Sequence, residues 1–278
     1  MKKLFALLLA LALLCAAALA ETPDTSRIAD ASEMTDVEDI VPEGMTPVTA
    51  DMLNDGVYEG LVVDSSSAMF KIIGCALTVE NGGMTARLTM KSDAYSYMFP
   101  GTAQEASQAA FDTLVPLEPL DEGGTFTLPV DALDAGYTCA AFSARKQAWY
   151  PRTLLFRSDS LPLSAWKNLT TAESLGLADG DYPVEVALTG GGSVEAATPA
   201  TLHVQNGQCT ADLLFSSAKV DYVLVDGQRY DVVVTEGGAA CTVPVAAFNV
   251  GMAIILDSTA ISPAVEVPYT ITFQPPEM

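Results

Sequence analysis

The chain of 278 residues has a single histidine, His203, which excludes multi-histidine metal centres and most catalytic triads. Within "TLHVQNG" that histidine reads as decoration on a strand. No G-x-S-x-G, P-loop, dinucleotide fingerprint or H-E-x-x-H occurs. There is no C-x-x-C, so neither a redox motif nor a zinc knuckle is supported. Paired carboxylates such as Glu38-Asp39 and Asp121-Glu122 fall in loop-like stretches, where charge is normally just solvated. These absences predict a protein that is not an enzyme. Basic residues are also scarce, 13 Lys and Arg against 35 Asp and Glu. Beyond the first twenty residues no apolar run is long enough to span a membrane.

Those first residues are what the sequence does contain. Lys2 and Lys3 precede an apolar stretch from Leu4 to Leu14, and Ala18-Leu19-Ala20 forms an A-x-A cleavage site. This predicts a secretory signal peptide over 1–20 and a secreted, extracellular product. Removing it leaves 11 basic against 35 acidic side chains, a net charge of −24. That balance argues against nucleic acid and anionic membranes as partners. Residues 21–50 are acidic and poor in aromatics, and read as a flexible leader.

The rest is written twice. "NDGVYEGLVV" recurs as "ADGDYPVEVAL", setting Tyr58 opposite Tyr182. "LTVENGGMTARLTM" recurs as "LHVQNGQCTADLLF", setting Val79 opposite Val204. "FTLPVDALDAG" recurs as "CTVPVAAFNVG", and "RTLLF" as "YTITF". Order and spacing repeat together, apart from an insertion around "GTAQEASQAAFD", so two tandem domains are predicted: 51–157 and 175–278, with 158–174 as linker. Short alternating runs punctuated by Asn-Gly, Gly-Gly and Asp-Gly predict an all-β fold of two immunoglobulin-like sandwiches. Thr102 and Glu105 predict a capped helix in the insertion, running through Ala110. Four cysteines remain in the exported chain. Pairing within each repeat gives expected disulfides Cys75–Cys139 and Cys209–Cys241.

The first copy resembles a near-iron-transporter (NEAT) domain, the haem-binding β-sandwich of Gram-positive surface proteins. "DGVYEGLVV" is similar to the family's first strand. "SSSAMFKIIGCALTVENGGMTARLTM" is similar to its lip helix and following strands, and "WYPRTLLF" to its last hairpin strand. The resemblance implies a haem site in which Ser66 or Ser67 holds a propionate and Met69 and Phe70 cover the ring. The family's ligand tyrosine falls on Ala148 in copy one and Val265 in copy two. Tyr150, two residues on and so on the same strand face, is the substitute ligand to haem iron, beside Trp149. A packing role for Tyr150 is the competing expectation. Copy two has the Gly- and Ala-rich "ALTGGGSVEAATPATL" where the lip should be, and "EVPY" in place of Trp149 and Tyr150. It is expected to be structural or to contact protein. Two functions follow: extracellular capture of haem or a related tetrapyrrole, or a cofactor-free surface module binding protein or glycan.

Overall fold

The computed structural model describes residues 23–34 and 39–277; the expected signal peptide lies outside them. The first domain contains β1 (Gly56–Glu59), β2 (Val62–Ser65), β3 (Ile72–Glu80), β4 (Gly83–Met90), β5 (Tyr95–Phe99), β6 (Val115–Pro116), β7 (Glu118–Pro119), β8 (Gly124–Val130), β9 (Gly136–Ser143) and β10 (Ala148–Arg157). A short helix, α1 (Ala103–Gln108), follows β5. The second contains β11 (Gly180–Val184), β12 (Val186–Thr189), β13 (Ala200–Gln205), β14 (Gln208–Phe215), β15 (Val220–Val225), β16 (Gln228–Asp231), β17 (Val233–Thr235), β18 (Gly238–Pro244), β19 (Met252–Ser258) and β20 (Val265–Phe273). Sheet orders are β1-β3-β4-β8-β7 and β2-β10-β9-β5-β6, then β11-β13-β14-β18-β17 and β12-β20-β19-β15-β16. Strand for strand the two plans coincide. The fold is all-β, two tandem antiparallel sandwiches, with the extra helix in the first.

The repeat extends to registers and single hydrogen bonds. Val79 pairs with Gly56, and Val204 with Gly180. Asn81-Gly82 and Asn206-Gly207 turn the corresponding hairpins at positive φ, 53° and 78° against 52° and 76°, the backbone twist that a two-residue hairpin requires. The Tyr58 hydroxyl donates to the Asn54 carbonyl at 2.8 Å, and Tyr182 to Ala178 at 2.9 Å. Alternation places Met84, Ala86, Leu88 and Met90 of β4 inside, with Phe126, Leu128 and Val130 of β8 beside them. The second domain has its own core around Leu213, Phe215, Val223, Ile271 and Phe273.

Two stretches expected to be loose are packed. Val48, from the leader, exchanges backbone hydrogen bonds with Leu133 at 3.0 and 2.8 Å. Leu161, Ala165 and Trp166, from the expected linker, join the first domain's core. Asn54 holds that segment through the carbonyls of Ser164 and Trp166, at 3.0 and 3.2 Å.

The expected disulfides are corrected: Cys75, Cys139, Cys209 and Cys241 are free, buried thiols. Cys241 on β18 lies opposite Leu213 on β14, four residues along that strand from Cys209. At about 3.3 Å per residue the two are roughly 13 Å apart, far beyond the ~7 Å between Cα atoms that a bridge allows. Cys75 is opposite Leu88 in one sheet and Cys139 opposite Arg152 in the facing sheet. Burial pushes the thiols of Cys75 and Cys139 up to about 12, and that of Cys241 to about 11. They behave as small apolar core residues, not as nucleophiles.

Candidate functional site

Period-2 alternation along β10 sorts its residues into two faces. Ala148, Tyr150, Arg152, Leu154 and Phe156 point inward, while Trp149 points outward. Trp149 is fully buried all the same, because α1 covers that outer face. Its ring lies 5.1 Å from that of Phe142, beneath Ala103 and Ala106. The helix is there because Thr102 caps it: its Oγ1 accepts the Glu105 N–H at 3.2 Å, and the Glu105 carboxylate accepts the Thr102 N–H at 2.8 Å.

Inward, the sequence places a cation where the strand is otherwise apolar. Arg152 is 5% exposed. Its guanidinium lies between two tyrosines, 5.3 Å from the Tyr150 ring and 5.7 Å from that of Tyr95, in cation–π geometry. Nη2 donates to the Tyr95 hydroxyl at 3.0 Å and Nη1 to the Pro151 carbonyl at 2.7 Å. Nε has no partner. Among the described residues no carboxylate comes within 4.0 Å of it. Phe70, 1% exposed, meets Tyr95 edge-on at 5.1 Å and closes the row.

Over this end of the domain lies the leader. Residues 25–29 run along the margin of β10 that β2 leaves open, and Ile28 bridges Trp149 in parallel. The Trp149 N–H donates to the Arg27 carbonyl, and the Ala29 N–H to the Trp149 carbonyl, both at 2.9 Å. The Trp149 indole donates to the Thr25 carbonyl at 2.7 Å. Ala29 is buried against Ala148 and Tyr150, with Met34 packed over the same cluster beside Tyr95. Arg27 is turned to Glu33 and donates to the Lys146 carbonyl at 3.0 Å.

The six residues expected to form a haem pocket are thus distributed. Tyr150, Phe70, Ser66 and Ser67 come to one end of the domain, linked by Tyr95 and Arg152. Trp149 is on the opposite face of the strand, and Met69 is 69% exposed. Ser66 Oγ already accepts the Thr153 N–H at 2.9 Å, extending the β2–β10 ladder. Ser67 Oγ is buried without a partner. The Tyr150 ring lies under Ala29 and Met34, and burial, then the Glu33 carboxylate, hold its phenol above the ordinary range. A phenolate iron ligand needs the opposite on both counts, so these residues do not fit haem as they stand. Arg152 and Tyr95 were not among the expected site residues. The signal for Arg152 was present, since 150, 152, 154 and 156 share one strand parity.

The chain matches no family model, and no curated protein matches it.

Proposed function

We propose that this is an exported, non-catalytic binding protein whose first domain docks an extended polypeptide segment against the open margin of β10. The observation that carries the reading is the parallel pairing of residues 27–29 with Trp149. It is strand addition, a mode that draws affinity from main-chain hydrogen bonds and specificity from the pockets for alternate side chains. Here the protein's own leader supplies the strand. The row Phe70–Tyr95–Arg152–Tyr150 forms the floor beneath it. The second domain keeps the sandwich but not the row. Tyr269 lies buried under Gly191, where a Cβ would stand 2.6 Å from its ring, which supports a structural or protein-contacting role.

The test uses the full mature chain with Ala29→Pro, which removes the N–H that donates to Trp149. A labelled peptide copying residues 24–34, DTSRIADASEM, should bind that variant saturably by fluorescence anisotropy. It should bind wild type much more weakly, because the resident strand competes. No saturable binding to Ala29→Pro would refute strand docking. For the tetrapyrrole alternative, haemin mixed with mature wild-type protein is expected to keep the spectrum of free haemin. A Soret shift abolished by Tyr150→Ala would reinstate it.

A further inference from the structure

We propose that the site beneath the leader selects a strand bearing one carboxylate, which Arg152 receives. This rests on the strand-docking reading and names the ligand chemistry of that site. A guanidinium is costly to bury without an anion or full hydrogen bonding. Arg152 is 95% buried, has a donor nitrogen, Nε, without a partner and stands beside the Ala29–Tyr150 cluster that the leader covers. Among its described residues the resident leader leaves that demand unmet. Of its described acidic residues, Glu33 turns to Arg27 and Lys146, and Asp24 to Ser26. What it packs with Tyr150, one of the two rings flanking the guanidinium, is the methyl of Ala29, with the side chain of Met34 against the same cluster. The tyrosine rings fix the plane of the guanidinium, so it presents a preoriented donor fork, and planar forks favour carboxylates.

The remainder of the partner strand is neutral or basic. With a net charge of −24 the mature protein repels a strongly acidic chain at long range. The leader's own Arg27 shows how a basic residue is accommodated, on the Lys146 carbonyl. One carboxylate on Arg152, flanked by uncharged or cationic side chains, satisfies both the local and the overall field.

Three labelled peptides decide this on the full mature Ala29→Pro protein: DTSRIADASEM, the same with Met34→Glu, and the same with Met34→Gln. The Met34→Glu form is expected to bind about tenfold more tightly than either other form, as one charge-assisted hydrogen bond provides. The advantage should shrink at high salt. Adding Arg152→Gln should erase it. Equal binding of the Met34→Glu and Met34→Gln forms overturns the proposal without any change to the protein. So does an advantage that survives both Arg152→Gln and Arg152→Lys. If no peptide binds, strand docking itself fails, which is a different result from equal binding.

Discussion

His203 lies on the outer face of the second domain between two aspartates, with Nδ1 2.7 Å from Asp181 and Nε2 2.9 Å from Asp212. Asp212 also accepts the Thr242 hydroxyl at 2.6 Å. The hydrogen bond to Asp212, then that to Asp181, raises the histidine's pKa. A histidine with a higher pKa folded than unfolded stabilises the fold below its unfolded value of about 6.5. That contribution fades as pH climbs through the folded value. His203→Gln should therefore lower Tm at pH 5.5 and leave it nearly unchanged at pH 9, as scanning calorimetry would show. An equal loss at both pH values would mean packing, not charge. The pair is exposed, so the effect is small. The tyrosine equivalence of 58 and 182 was legible from the repeat, but the carbonyl each bonds was not, because a hydroxyl's partner depends on the turn four residues upstream. Tyr182→Phe should cost about 1 kcal/mol in chemical denaturation.

Elements differ in how local their instructions are. The helix α1 could be read from Thr102 and Glu105 because its start signal spans four residues; it stops at Gln108, two residues before the expected end. Thr102→Ala should destabilise the first domain by about 1 kcal/mol and, since α1 roofs Trp149, red-shift the tryptophan emission. An unchanged spectrum with the expected stability loss would separate the cap from the roof. The docked leader was not legible. Its partner strand is 120 residues away, and its composition is that of a disordered segment. Three hydrogen bonds at about 1 kcal/mol each roughly balance the ordering of two or three residues, so this strand should open before the sandwich does. Hydrogen exchange should find the Ala29 amide markedly faster than that of Leu154, which pairs within β10's own sheet. Equal protection would make the leader part of the cooperative unit.

At the scale of the molecule the all-β class and the two tandem sandwiches followed from the repeat, because hydrophobic alternation and turn chemistry recur with it; the packing of Val48 and of 161–166 onto the first core did not. The junction did not, since Asp159 comes from the expected linker and meets Arg157 and Thr270 only in the fold. Arg157 ends β10 and reaches Asp159, Asp64 at 3.4 Å and the Thr270 hydroxyl at 2.9 Å on β20, while Thr270 itself donates to Asp159 at 2.5 Å. Asp159 is nearly buried there. Arg157→Ala strands that carboxylate, and removing one partner of a buried pair costs roughly 3 kcal/mol. The expected readout is a single calorimetric transition splitting into two, one per core; a single transition shifted downward would place the loss within one domain.

Two copies with identical strand order and near-identical hairpins have a further consequence during synthesis. As the second half emerges from the ribosome, β3 and β4 could zip onto β14 and β18 as readily as onto β8, since each edge offers the same alternation. Such cross-copy pairing is a known hazard of tandem homologues. The insertion between β5 and β6 acts on the equivalent exchange in the facing sheet. A chimera taking β19 and β20 in place of β9 and β10 would give α1 no Phe142 or Trp149 to cover. The helix that makes the domains unequal would thereby disfavour that exchange.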